Sequence, residues 1–370
     1  MQVFAEASKK LRPIVLLVMQ GGHHLNLYRN LFVLCQDVSW ICFLPEIQKV
    51  SRDVVEELYD NFGVQFFTDR QTAIAHFGTI DAVITTFAVP HRAHTPHLRF
   101  VALAYELGIP VFELQHGLFQ LGISSSEASP FVGSGISGAL NGLPVPNMTD
   151  RKLRWSGEGA IGYPPFAESV YEDSSRLRCA GDHTLILTNL HWNILSEEDV
   201  GHICDMIVKA VVSLPEISFM MVPHPSELDK PHLKRLRARL QSANAQNIRI
   251  IRPDSADEMS DLIKSSRMAL STVSTVLLDL EMYEVPTLIM AGRRQHRLIE
   301  SFQSCHLVVG KEGLVQDIKD IYYGHLQPYL RTGMLEPFHA SILQENILTA
   351  IRKIPMRAET YVPIINKYVG

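Results

Sequence analysis

The stretch AYELGIPVFELQHG, Ala104–Gly117, decides how the chain is read. Its first residues close a helix that runs across His97–Leu107. Gly108 suits a helix C-cap, and Pro110 cannot extend a helix, so the chain must change state there. Val111–Leu114 is then a short apolar strand, and Gln115-His116-Gly117 leaves it in polar residues. Helix, cap, buried strand and polar turn make up the repeating unit of a parallel α/β sheet.

Towards the N-terminus the same unit recurs. Ile14–Met19 (IVLLVM) is a continuous apolar strand, and Leu25–Leu34 after it has helical spacing. Ser39–Leu44 is a strand, Val54–Asn61 a helix, Val64–Phe67 a strand, Gln71–Phe77 a helix and Ala82–Thr85 a strand. Strands without polar alternation are covered on both faces, as in doubly wound sheets. Towards the C-terminus the pattern stops. Gly117 to about Pro165 is rich in Ser, Gly and Pro without a period, which predicts a long loop. Alternation resumes with strands at Thr184–Thr188, Ser218–Val222, Ile248–Arg252, Met268–Ser271 and Thr287–Met290. Helices between them are expected at Glu197–Leu214, Leu233–Ser242, Ala256–Ser265 and Thr275–Tyr283. The fold expected is α/β, with two Rossmann-like doubly wound domains facing a cleft. They span residues 1–165 and 166–338, and the helix Ala340–Lys353, within 339–370, crosses back to brace the first domain.

Composition narrows the field. The 370 residues are 46% hydrophobic and 20% charged, with 42 Gly and Pro together, which excludes disordered and collagenous chains. A net charge of −5 argues against a nucleic-acid footprint. The cysteines Cys35, Cys42, Cys179, Cys204 and Cys305 have no paired spacing and read as reduced core residues of a cytosolic protein. The N-terminal stretch shows no signal peptide, and the first apolar run is far too short to span a bilayer. The chain is expected in the cytoplasm, in a form that allows peripheral contact with the membrane or with other assembly proteins.

Ligands of such sheets bind beyond the carboxyl ends of the strands. After the first strand stands Gln20-Gly21-Gly22-His23-His24, where two glycines permit close backbone approach to a ligand or simply make a tight turn. The third glycine of a dinucleotide fingerprint is missing. An imidazole titrates near neutrality, so His116, at the end of the Val111–Leu114 strand, can take a proton from an attacking hydroxyl; a loop-bracing imidazole is the other reading. His224 stands between Pro223 and Pro225, which fix its backbone and would aim it at one point, before Ser226. Ser271, Thr272, Ser274 and Thr275 close a strand and open a helix carrying Asp279, so their hydroxyls can cradle phosphate, cap the helix, or both. Asp279 could reach a ribose hydroxyl. Thr188 and Asn189 end another strand and can line the same crevice, as can His191.

Weaker features surround these. His91, His94 and His97 are interrupted by prolines and do not form a zinc pattern. Lys234, Arg235, Arg237 and Arg239 share a helix with Leu233, Leu236 and Leu240 and read as a solvated face. Arg293, Arg294, His296 and Arg297 follow the last inner strand. There is no P-loop, no GxSxG, no HExxH and no Asp-x-Asp. No metal or other cofactor is expected.

The QHG of Gln115-His116-Gly117, the His224-Pro225 pair and Ser274-Thr275-Val276 with Asp279 together resemble motifs of GT-B type transferases of bacterial surface polymers. The likeness is to CDP-glycerol glycerophosphotransferase-like and capsule polysaccharide transferase proteins, and Trp155-Ser156-Gly157-Glu158 and Gly162-Tyr163-Pro164 also look like that group. The resemblance implies that His116 lies beside the acceptor as a base, and Gly21, Gly22, His23, Gln115 and Gly117 are the residues expected on the acceptor side with it. It implies that His224, Ser274 and Thr275 hold the donor's phosphates, and Ser226, Ser271, Thr272, Thr188 and Asn189 are expected on the donor side from their places at the strand ends. Related sialyl- and Kdo-transferases carry an acidic pair where this chain has Gln115-His116, which disfavours those donors. The expected function is therefore a metal-independent, His-assisted transferase building a capsule or other surface glycan. Its partners would be a nucleotide-sugar or CDP-alcohol donor and a glycan or lipid-linked acceptor. Two other readings stay open. One is a UDP-sugar 2-epimerase-like isomerase, for which Glu113, Glu158 and Asp279 are the plausible carboxylates. The other is a non-catalytic binding subunit.

Overall fold

The computed structural model describes residues 12–19, 21–86, 95–118, 151–167, 181–190, 195–292, 302–303, 306–308 and 312–352. Two compact units divide the chain: Met1–Ala167 with Glu336–Gly370, and Glu168–Leu335.

The first unit begins with β1 (Ile14–Val18), α1 (Gly22–Leu34), β2 (Ser39–Phe43), α2 (Arg52–Phe62) and β3 (Gln65–Phe67). It continues through α3 (Arg70–Ala75), β4 (Ala82–Thr85), α4 (Thr95–Glu106), β5 (Val111–Leu114) and β6 (Arg151–Leu153). All neighbouring strands are parallel, in the order β3-β2-β1-β4-β5-β6. Continuous apolar strands are what this order needs, because both faces are covered. Val15 and Leu17 face Leu25, Tyr28, Leu31 and Phe32 of α1. Leu16 and Val18 face the other way, onto Ala73 and Ile74 of α3 and Phe100, Val101 and Ala104 of α4. Helix α2 stops at Gly63, whose φ of 66° is the left-handed cap that glycine adopts without strain.

The second unit begins with β7 (His183–Thr188), α5 (Glu197–Ser213), β8 (Ser218–Pro223), α6 (Pro231–Ser242) and β9 (Ile248–Ile250). Then come α7 (Ala256–Lys264), β10 (Ser266–Thr272), α8 (Val276–Met282), β11 (Thr287–Met290), β12 (His306–Val308) and α9 (Leu314–Tyr322). Its sheet runs β12-β11-β10-β7-β8-β9, again with every described pairing parallel. Counted from its own first strand, this is the same permutation as the first sheet, the dinucleotide-fold order. Helix α5 starts on a capping box in which Ser196 and Asp199 satisfy each other's backbone N–H groups. The last helix, α10 (Ala340–Ile351), places Leu343 and Ile347 in the first unit's core beside Phe338.

Three elements depart from the expectation. The stretch expected to be one loop, Gly117 to Pro165, contains β6, which pairs Arg151, Lys152 and Leu153 with Phe112, Glu113 and Leu114. Its three residues carry a single buried apolar side chain, Leu153, too little for a periodic signal. The turn after it is fastened: Ile161 N–H donates to Arg154 O and Tyr163 N–H to Glu336 O. Residues 119–150 lie outside the described residues. Strand β12 and helix α9 were not anticipated either; they add an edge strand and bury Leu314, Ile318 and Ile321 against the second core. Among the described residues, no helix is long and apolar enough to cross a membrane.

Candidate functional site

In each sheet the strand order reverses between its first and fourth strands, and the polar residues beyond that point are the natural ligand groups. In the first unit Gly21 stands at the N-cap of α1 in an extended conformation, without a side-chain cap. Gly22 sits close to a neighbour: a Cβ there would lie 2.7 Å from Val50 Cγ2, so that side chain would have to shift. Gln20 and the side chain of His23 lie outside the described residues.

His24, two residues into α1, is 1% exposed, and its ring meets His116 edge-on at 5.1 Å between centroids and 69°. Tyr28 follows one turn later, 6.1 Å from His24, and its hydroxyl donates to Gln115 O at 2.8 Å. Burial, reinforced by the charge of Glu113, pushes the Tyr28 phenol well above its usual value, so it stays a donor. Both ends of the Gln115 side chain are engaged: Nε2 donates to Gly117 O at 3.1 Å, and Oε1 accepts from Trp155 N at 3.0 Å. Gln115 and Gly117 thus form the frame that holds His116 half-buried at the strand end. Thr86, just past β4, alternates onto the α1 side, because Ala82 and Ile84 face that core. Its hydroxyl is fully buried with no hydrogen-bond partner among the described residues. The sequence reading put weight on His23 and passed over His24 and Thr86. The signal for His24 was available, since a histidine beside Leu25 falls on the buried face of an amphipathic helix.

In the second unit Asn189 N–H donates to Thr272 Oγ1 at 2.7 Å and so ties the end of β7 to β10 across the reversal point. Thr188 Oγ1 donates to Glu227 Oε2 at 2.7 Å, and Leu190 N–H donates to Glu227 Oε1. Glu227 is fully buried, three residues past His224. The His224 N–H donates to Thr188 O at 3.0 Å, and its Nδ1 accepts from Ser226 N at 3.2 Å. His224 is half-buried and Ser226 exposed. One carboxyl therefore locks the β7 turn against the His-Pro turn. Sequence reasoning stopped at Ser226 and missed Glu227; the signal was an acidic residue closing a proline-fixed turn.

Ser271 and Thr272 are fully buried, with Ser271 Oγ donating to Thr272 O at 2.9 Å, so both serve the turn. Ser274 and Thr275 are half-buried, and Thr275 makes no side-chain cap bond to α8. Their hydroxyls stand at the start of α8, and Asp279 is half-buried one turn further on.

The remaining expectations divide. His91, His94, His191, Arg293, Arg294, His296, Arg297, Cys179 and Cys305 lie outside the described residues. His97 is buried on α4, and among the described residues no group of three or more His, Cys, Asp or Glu is placed to hold a metal ion. Helix α6 buries Leu233, Leu236 and Leu240 and exposes Lys234, Arg235 and Arg237, with Arg239 paired to Asp205 at 2.5 Å. Cys35, Cys42 and Cys204 are free and buried. Burial pushes Cys35 up to about 12 and Cys204 to about 11, so neither is a nucleophile at neutral pH.

No family model matches the chain, and no curated protein matches it. Solved structures do. The UDP-GlcNAc 2-epimerase of Methanocaldococcus jannaschii aligns with a TM-score of 0.55 at 12% identity, covering 92% of this chain and 99% of that one. The UDP-GlcNAc 2-epimerase of Neisseria meningitidis, solved with UDP-GlcNAc bound, gives 0.54 at 13% identity, over 92% and 100%. Anabaena Alr3699/HepE, solved with UDP and glucose, gives 0.51 at 12%, over 92% and 97%. At such identities the likeness speaks for the fold: this chain has the two-domain, GT-B-like α/β fold of those structures.

Proposed function

We propose that this chain is an enzyme of nucleotide sugars, that its substrate is a UDP-sugar, and that it isomerises the sugar rather than transferring it. The observation that carries the reading is the Thr188–Glu227–Leu190 network, joined to His224 and bridged to Thr272, at the reversal point of the second sheet. It fixes a turn where the fold places ligands, on an architecture whose solved neighbours hold UDP and UDP-sugars.

In this reading His224, Ser226, Ser274 and Thr275 meet the diphosphate, and Asp279 meets the ribose. Fixed donors of this kind stabilise charge that develops on a phosphate, each typically worth about 3 kcal/mol, or a hundredfold in rate. In the first unit the imidazoles of His24 and His116 are groups able to take and return a proton, since an imidazole changes charge near neutral pH. Protein groups alone meet the charge, so a chelator leaves turnover unchanged.

A second reading, transfer of the activated group to a glycan or lipid-linked acceptor at a membrane surface, is favoured by one observation. Of the carboxylates that proton abstraction would use, Glu113 is buried within β5 and Glu158 is exposed after β6.

The test is incubation with UDP-GlcNAc and with UDP-glucose, without acceptor, followed by NMR of the sugar ring. Inversion at C2 that disappears in His116→Ala supports isomerisation; UDP release only upon adding a glycan acceptor supports transfer. UDP at 100 times its dissociation constant should add about 2.7 kcal/mol of stability. No turnover together with no stabilisation by UDP would overturn both.

A further inference from the structure

We propose that Arg70 and Arg99 form a second, oxyanion-binding site on the first unit, taking a phosphate or carboxylate group on the face of the sheet opposite His24 and His116. It stands independently of the nucleotide-sugar reading.

Arg70 opens α3, and Arg99 is the fifth residue of α4. Both helices cover the same face: Ala73, Ile74, Phe100 and Val101 share one apolar cluster with Val18, Ile41 and Phe43. Side chains on a helix lean towards its N-terminus, so both guanidiniums are carried towards the carboxyl edge of the sheet. Phe43, at the end of β2, packs on Phe100 at 4.8 Å between ring centroids. Phe43 also pairs in register with Phe67 of β3, three residues before Arg70. The two arginines therefore flank the end of β2.

Neither guanidinium has a carboxylate at ion-pair distance among the described residues; the Asp69 carboxyl is held below its ordinary value chiefly by its hydrogen bonds from Thr72 and only slightly by the charge of Arg70. The Nε of each is buried without a hydrogen-bond partner, and neither makes an ion pair, among the described residues. The neighbouring carboxylate, Asp69, accepts from Thr72 N and Thr72 Oγ1 at 2.7 and 2.8 Å. Burial and the charge of Arg70 both hold the Arg99 guanidinium below its ordinary value, as expected for like charges close together. Arginine cannot relieve this by losing its proton at physiological pH. A planar fork of N–H donors matches the two oxygens of a carboxylate or phosphate, so the ligand class follows from the donors.

The experiment uses the full chain labelled with [15N]arginine. Nε–Hε resonances of Arg70 and Arg99 are assigned by their disappearance in Arg70→Lys and Arg99→Lys. Inorganic phosphate and galacturonate are titrated separately, at chloride-matched ionic strength. The expected result is a saturable shift of both resonances with one common dissociation constant, in at least one arm; which arm responds tells phosphate from carboxylate. Arg99→Gln should weaken that constant about tenfold or more, the loss expected for a charge-assisted contact. Arg52, exposed and paired with Glu56 at 2.6 Å, should not move. Unmoved Arg70 and Arg99 resonances in both arms, or an Arg52 shift in parallel with them, would overturn the proposal. UDP titrated on the same sample reports separately on the nucleotide reading.

Discussion

Replacing Glu227 by alanine tests the second unit's turn network most directly. The carboxyl is fully buried and receives two donors, Thr188 Oγ1 at 2.7 Å and Leu190 N–H. Removing it strands two buried donors, each hydrogen bond to a charged acceptor being worth about 1.5–3 kcal/mol. Against that loss stands the relief of no longer burying a carboxylate, which is several kcal/mol for an ion in the interior. The net expected is a destabilisation of about 2–4 kcal/mol for Glu227→Ala, within the range for breaking a buried polar network. Glu227→Gln keeps the shape and one acceptor and should cost roughly half as much, leaving one donor facing an amide N–H2 group. Hydrogen exchange of the Leu190 amide reads the effect locally, and urea unfolding followed by circular dichroism reads it globally. UDP affinity should fall in both variants, because the β7 turn, which carries Thr188 and Leu190 and meets His224 through Thr188 O, is held less firmly. If Glu227→Ala unfolds within about 0.5 kcal/mol of the parent, the ordinary scatter of neutral substitutions, and Leu190 exchanges unchanged, the network does not hold the turn and the reasoning fails.

Other outcomes follow from the same geometry. His116→Ala should remove turnover while the melting temperature stays near that of the parent, since the side chain is only half-buried; His24→Ala, at 1% exposure, should lower both. Gly162 has φ +80°, and a Cβ there would lie 1.8 Å from Pro337 O. Gly162→Ala should therefore cost about 2–5 kcal/mol from backbone strain and overpacking, seen as a lower urea midpoint. Ellman's reagent should find no more than two of the five cysteines in the native protein at pH 7.5 and all five in denaturant, because Cys35, Cys42 and Cys204 are buried. A thiol raised on folding stabilises the chain below its unfolded value and withdraws that contribution as pH climbs. Stability should accordingly fall from pH 9 towards about 12, the window of Cys35. Cys35→Ala should flatten that alkaline loss.

Much of the fold is legible because burial on two faces leaves a plain mark. Ile14–Val18 is a continuous apolar run, Leu185–Leu187 forms the apolar centre of β7, and the Gly108–Pro110 punctuation separates α4 from β5 without ambiguity. Strand β6 is illegible for a physical reason: an edge strand of three residues packs one side chain inward, so its identity lies in its pairing with Phe112–Leu114. Helix α9 does carry a helical period, with Leu314, Ile318 and Ile321 buried, and it follows strand β12, which is too short to announce it. At the site, His116 and His224 could be found because each ends a strand. Glu227 acts on Thr188, 39 residues away, through the register of β7 and β8, and no local pattern encodes that distance. Gln115 was legible as a position; its task of bracing Trp155 and Gly117 emerges only with β6 in place.

Helix α10 has a consequence for biosynthesis. Leu343 and Ile347 complete the apolar layer around Val15, Leu17 and Tyr28, yet a ribosome delivers them only after the whole Glu168–Leu335 insertion has emerged. The nascent first sheet must wait with one greasy flank open while its neighbour is already free to mature. A stop codon ahead of residue 340 would leave the later-made unit whole and cripple the one translated earliest.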